Sequence, residues 1–105
     1  MKIAIIGCGI VGAAIAYELS LVKGLDITLI DQKAPASGST NAALGILFGI
    51  ISRKTKGRAW RLREASMQRY STLIPELEEI IGKVIPHNSQ GIVMLRFAGE
   101  DTSKW

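Results

Sequence analysis

The run Gly7-Cys8-Gly9-Ile10-Val11-Gly12 spaces three glycines as GxGxxG, and an acidic residue, Asp31, follows about 20 positions on. These residue types in this order suit a nucleotide diphosphate. Gly7 permits a tight turn out of a strand, Gly9 lets backbone approach a pyrophosphate, and Gly12 lets a helix pack closely on the sheet. A helix opening at this turn presents unpaired N–H groups and a partial positive charge to the phosphates. Asp31 can accept hydrogen bonds from ribose hydroxyls, and a carboxylate there disfavours a 2′-phosphate, which argues against NADP. Ile10, Val11 and Gln32 adjoin these residues and join the candidate set. Glycine is common, so the spacing gains force only where a strand precedes it and a helix follows.

The flanking sequence predicts that setting. Lys2–Ile6 is short, apolar and rich in Ile, as strands buried on both faces are. From Ile10 to Lys23 the pattern is helical, with Ile15, Ala16, Leu19 and Val22 on one stripe and Gly24 placed as a C-cap. Asp26–Ile30 reads as a second apolar strand ending at Asp31. Strand, turn, helix and strand within about 30 residues make one βαβ unit with a right-handed crossover. Gln32–Asn41 reads as loop. A short helical turn is expected to open at Thr40 or Asn41, followed by an extended piece. Lys56–Ile81 is the longest helical segment, with Trp60, Met67, Tyr70, Ile74, Leu77 and Ile81 in phase, flanked by Leu73 and Ile80. Pro75 deletes a helix hydrogen bond, so a kink or break is expected around Thr72–Pro75, and Gly82 ends the segment. Gly91–Phe97 reads as a third strand, and Asp101 as a cap for a further helix.

Composition sets the outer bounds. The chain has 105 residues, 48% hydrophobic and 21% charged, which describes at most one globular domain and more readily a piece of one. A single cysteine, Cys8, excludes an internal disulfide and fits a reducing, cytoplasmic setting. Glycines inside the first apolar run and Glu18 soon after it argue against a signal peptide. The apolar stretch Ala42–Ile51 is about half the length that spans a bilayer, so no transmembrane segment is expected. The formal charge of +4 concentrates in Arg53, Lys54, Lys56, Arg58, Arg61 and Arg63. No aromatic residues interleave them as a base-stacking surface needs, so they read as a solvated basic face and not as a nucleic-acid site.

Spacing does not separate FAD from NAD. Pro35-Ala36-Ser37-Gly38-Ser39-Thr40-Asn41-Ala42-Ala43-Leu44-Gly45-Ile46 follows Asp31 closely, where an NAD domain usually continues into its next helix. With Ser39, Thr40, Ala42, Ala43 and Gly45, this segment resembles the small-residue motif of the D-amino-acid-oxidase-like superfamily of FAD-dependent oxidoreductases, glycine oxidases in particular. The resemblance implies an α/β, Rossmann-like FAD-binding domain. It directs Ser39 and Thr40 toward the FAD phosphates and Leu44, Gly45 and Ile46 along the ribityl chain and flavin edge, and it adds Ala43 to the cofactor-binding set. It assigns residues 1–82 to the FAD-binding segment and 83–105, with the third strand, to the start of a substrate domain. It also implies oxidation of a carbon–nitrogen bond in an amino acid or amine, with hydride passing to the flavin and an imine hydrolysing.

Members of that superfamily run to several hundred residues, so the chain as given is expected to lack most of the substrate pocket and to be catalytically incompetent alone. Two alternatives stay open. One is a truncated FAD-binding or interaction fragment. The other is an NAD-dependent Rossmann oxidoreductase. A sheet of two strands leaves both edges unpaired, so an oligomeric or strand-exchanged assembly is expected.

Other reactive residues read as structural. Cys8 is a small residue at a crowded turn. His87 lies in the turn-like Pro86-His87-Asn88 with no carboxylate or cysteine near it in sequence. No His, Cys, Asp or Glu spacing suggests a metal site. Glu76, Glu78 and Glu79 read as a solvated helix face, and Trp60 and Tyr70 as packing.

Overall fold

A computed structural model describes residues 1–47, 49, 56–93, 95 and 97–99. The chain separates into two compact units, Met1–Ile46 and Leu47–Trp105.

The first unit is the expected βαβ. β1 (Lys2–Ile6) and β2 (Asp26–Ile30) pair in parallel, in the register Lys2↔Asp26 through Ile6↔Ile30. Parallel neighbours need a crossover, and α1 (Ile10–Ser20) supplies it. The N-terminus is stitched down at the start of the sheet, where the Met1 ammonium donates to the Gly24 carbonyl and the Asp26 N–H to the Met1 carbonyl.

The strands are covered on one face, not on both as their composition suggested. Ile3, Ile5, Ile27 and Leu29 are half-buried, while Ala4, Ile6, Thr28 and Ile30 are exposed, Ile6 at 88%. Strand side chains alternate in direction, so one helix shields only every second residue. Helix α1 also turns a different stripe inward. Gly12, Ala13, Ala16, Tyr17 and Leu19 are the half-buried positions, whereas Ile15 and Val22 are about half exposed. Small residues let the helix axis come close to the sheet, and the bulkier Ile15 sits too far round the helix to join them. The helix ends at Ser20 with Leu21 as its cap, so Gly24 falls in the turn beyond.

After β2 comes α2 (Ser39–Ala42), opening a residue earlier than expected, and Ala43 then turns to extended backbone. In the second unit, α3 (Arg58–Ile81) runs unbroken through Pro75. A guanidinium strut spans that position. Arg69 binds both carboxylate oxygens of Glu76 at 2.8 Å and the Thr72 hydroxyl at 2.6 Å, reaching across the turn that Pro75 interrupts. Trp60, Met67, Tyr70, Leu73, Ile74 and Leu77 form the half-buried stripe, but Ile80 and Ile81 are exposed. Gly82, at φ +64, closes the helix in the left-handed conformation that glycine adopts most readily. Glu78 accepts the Ile85 N–H at 2.7 Å and so anchors the following turn. Glu76 and Glu78 therefore have structural partners, unlike the solvated face expected of them.

The third strand is not formed among the described residues. Gly91, Ile92, Val93, Leu95 and Phe97 lie in no ladder, while Met94 and Arg96 fall outside the described residues. A strand persists only with a neighbour to accept its hydrogen bonds, and β1 and β2 are the strands described. Arg53, Lys54 and Asp101 also fall outside the described residues. None of the described residues is fully buried, and no helix among them is long and apolar enough to cross a membrane.

Candidate functional site

The three fingerprint glycines are required for three different reasons. Gly7 continues the ladder, donating its N–H to the Ile30 carbonyl at 2.7 Å, and then turns at φ +104. A Cβ there would meet nothing within 4 Å, so its need is conformational. Gly9 is the N-cap of α1, and a Cβ on it would lie 3.1 Å from the Thr40 hydroxyl oxygen. Gly12 is the most crowded. A Cβ there would stand 1.8 Å from the Gly7 carbonyl oxygen, so the helix packs against the turn's own backbone as well as the sheet.

Asp31 closes the other side. Its Oδ2 accepts the Cys8 N–H at 2.6 Å and its Oδ1 the Lys33 N–H at 2.9 Å. These bonds, Cys8's foremost, hold the carboxyl below the ordinary aspartate value against a smaller opposing effect of desolvation. A carboxylate has about four acceptor positions, so with the Cys8, Lys33 and Gln32 N–H groups on it Asp31 keeps one for a ribose hydroxyl. The loop beyond is tied to the same turn, with the Ala36 N–H donating to the Cys8 carbonyl at 2.8 Å and the Ile10 N–H to Thr40 Oγ1 at 2.9 Å.

Around these bonds lies an open cleft of about 290 Å³ that brings together Gly9, Asp31, Gln32, Ser39 and Thr40. A second cleft, of about 440 Å³, is lined by Ile6, Gly7, Ile30, Asp31 and Gln32 at the carboxyl ends of both strands. Of the other expected residues, Ile10 and Val11 begin α1 with exposed side chains; the Ile10 N–H is held by Thr40 Oγ1, so the Val11 N–H is what this pair offers a ligand. Gly12 lies behind the turn. Ala43, Leu44, Gly45 and Ile46 follow α2 and line neither cleft, with Leu44 89% exposed. The first cleft also takes Cys8, Lys33, Ala36, Ser37 and Gly38, which the motif had not singled out. Cys8 sits inside the fingerprint and the others two to seven residues after Asp31, which was the available signal. His87 turns to its own loop, with Nδ1 2.9 Å from the Ile85 carbonyl oxygen. Among the described residues no group of three His, Cys, Asp or Glu could hold a metal ion.

A parallel βαβ with a bare glycine turn at a helix N-terminus, and an acidic residue at the end of the second strand, defines a dinucleotide-binding unit. The chain belongs to the FAD-dependent oxidoreductase (DAO) family, whose model matches residues 2–105. It is 36% identical over 75 residues to the uncharacterized oxidoreductase YurR of Bacillus subtilis (strain 168), covering 71% of this chain and 20% of that protein. It is 31% identical over 97 residues to the glycine oxidase of Bacillus licheniformis, covering 92% of this chain and 26% of the relative. With the bifunctional protein ThiO/ThiG of Synechocystis sp. (strain ATCC 27184 / PCC 6803 / Kazusa) it shares 36% identity over 90 residues, 85% of this chain and 14% of the relative. The matches thus span between 14% and 26% of these relatives' lengths. No solved structure matches the chain.

The family is FAD-dependent, and the residues present fit that cofactor. Gly9 leaves bare backbone at the start of α1, with only the Thr40 hydroxyl near where a Cβ would stand, and Asp31 lines the same cleft with an acceptor position to spare.

Proposed function

We propose that this chain forms the cofactor-binding part of a flavoenzyme that oxidises an amine or amino acid. Gly7, Gly9 and Val11 offer backbone to the diphosphate, Ile10 and Gly12 hold the turn and helix that present it, Asp31 and Gln32 hold the adenosine ribose, and Ser39 and Thr40 face the phosphates. Ala43, Leu44, Gly45 and Ile46 run along the ribityl chain and flavin edge. When bound, FAD supplies a hydride acceptor for oxidation of a carbon–nitrogen bond. The chain's own residues bind, orient and neutralise charge. The observation that carries this reading is the convergence of the glycine turn, Asp31 and Thr40 on one cleft. The glycine oxidase relative supports the amine substrate class.

In this reading residues 1–82 are the FAD-binding segment and residues 83–105 open a substrate domain. Among the described residues Asp31 is the one carboxylate lining either cleft, and its bonds to the Cys8 and Lys33 N–H groups suit it to hold a ribose, not to shuttle protons. That favours a division in which these residues bind cofactor and the acid–base work falls elsewhere. It also keeps a second reading alive, a cofactor-binding or interaction module without catalysis of its own. Among the described residues β1 and β2 pair only with each other, and edges left so are what the reading of an oligomeric or strand-exchanged assembly rests on. The single cysteine supports a cytoplasmic setting.

Titration of the full chain with FAD, followed by flavin fluorescence, tests the assignment. Saturable binding that ADP competes away and Gly9→Val abolishes is the expected result. Binding of NADH in preference to FAD would overturn it.

A further inference from the structure

Helix α1 begins with a deficit that its own sequence cannot repair. Its first N–H groups have no intrahelical acceptor, and the usual remedy is a Ser, Thr, Asp or Asn side chain at the N-cap. Here the N-cap is Gly9, which has no side chain and makes no side-chain cap bond. A diphosphate needs that bare backbone, so the requirement for binding and the requirement for a capped helix conflict at one residue.

Thr40 eases the conflict from 30 residues away. Its Oγ1 accepts the Ile10 N–H at 2.9 Å, one of the first-turn donors that have no acceptor within the helix. The same oxygen is the atom a Cβ on Gly9 would approach to 3.1 Å. A hydroxyl that accepts one bond still has its proton to donate. Thr40 lines the cleft with Gly9 and Asp31, so that proton is available to an anionic oxygen there.

We propose that Thr40 is a positioning residue, a cap supplied in trans that holds the α1 N-terminus and the 36–40 loop in binding register before the cofactor arrives. The Ala36 N–H to Cys8 carbonyl bond fastens the other end of the same loop. In this view Gly9 is constrained by Thr40 as well as by the phosphates. The proposal rests on the reading of the cleft as the site for the ADP half of FAD, and its test separates the two.

The test uses the full chain and Thr40→Val, Thr40→Ser, Gly9→Ala and the Gly9→Ala/Thr40→Val double variant. Amide hydrogen exchange at Ile10 is measured without ligand, and FAD affinity by flavin fluorescence. Thr40→Val should speed Ile10 exchange by about five- to tenfold, the scale of a lost side-chain cap, and weaken FAD by a similar factor. Thr40→Ser, which keeps the hydroxyl, should restore both. Gly9→Ala should also speed Ile10 exchange, and the double variant should add little to either single one, because both break one bond. Unchanged Ile10 exchange in Thr40→Val overturns the proposal, even where FAD weakens, since Thr40 would then be a ligand contact alone. If the wild-type chain fails to bind FAD, the flavin reading falls while the exchange arm still decides the cap.

Discussion

The most demanding consequence of the geometry concerns Gly12→Ala. A Cβ at this position would lie 1.8 Å from the Gly7 carbonyl oxygen and 3.0 Å from its carbon. Opening the first contact even to 3.0 Å moves one side by about 1.2 Å. Neither side is a flexible side chain. The Gly7 carbonyl belongs to a turn whose N–H is bonded to the Ile30 carbonyl at 2.7 Å, so the first turn of α1 has to shift instead. Overpacking of this kind costs about 1–3 kcal/mol, which lowers Tm by roughly 5–20 °C in a domain of this size. The same shift carries the helix N-terminus away from the cleft, so FAD affinity should fall by at least about tenfold, the equivalent of 1.4 kcal/mol. The assay is thermal unfolding of the ligand-free full chain by circular dichroism, with Gly9→Ala alongside. Gly9→Ala meets only a hydroxyl at 3.1 Å and should lose less. A Gly12→Ala chain as stable as wild type, or more stable than Gly9→Ala, would refute the steric argument.

Three further outcomes follow from other contacts. Asp31→Asn should weaken FAD binding by about tenfold, the scale of a lost charge-assisted bond, as read by fluorescence titration. Because the folded carboxyl sits below its unfolded value, Asp31 adds stability that is present above about pH 3.9 and lost as pH falls through the lower folded value. The wild-type advantage over Asp31→Asn in ligand-free denaturant melts should therefore vanish only on the acid side of that point. Pro75→Ala should raise the stability of α3 by up to about 3 kcal/mol, since it restores an N–H to the unbroken helix, while Glu76→Gln should cost under about 1 kcal/mol because the strut is partly exposed. Ala36, at φ +59 on the cleft wall, is the one non-glycine residue in the left-handed region among those described, and Ala36→Gly should stabilise the ligand-free chain by about 1 kcal/mol in the same melts.

The βαβ was legible because local signals agreed: Ile-rich strands, a glycine turn and an acidic residue all demanded one arrangement. Both strands fall where the pattern put them. What the pattern missed depends on neighbours. The open face of β1 and β2, marked by Ile6 and Ile30, reflects what lies across from each residue, and composition carries no record of that. A kink or break was expected around Thr72–Pro75; the helix does not break, and Arg69 and Glu76, seven residues apart, bridge the position where Pro75 removes a hydrogen bond. At the site, the glycines and Asp31 announced themselves by spacing, and the small-residue segment by its composition. The bonds from Cys8 to Asp31 and from Ile10 to Thr40 did not, because they join residues 23 and 30 positions apart through backbone donors that every residue type carries.

The central claim is that the ADP half of FAD rests on the bare turn at the start of α1 with Asp31 on its ribose. Backbone amide shifts of the full chain recorded during titration with ADP test this most directly. The account predicts that the large changes fall on residues 7–12, 31–33 and 36–40 and saturate together. Saturation with those amides unmoved, or with the changes centred on α3, would contradict it.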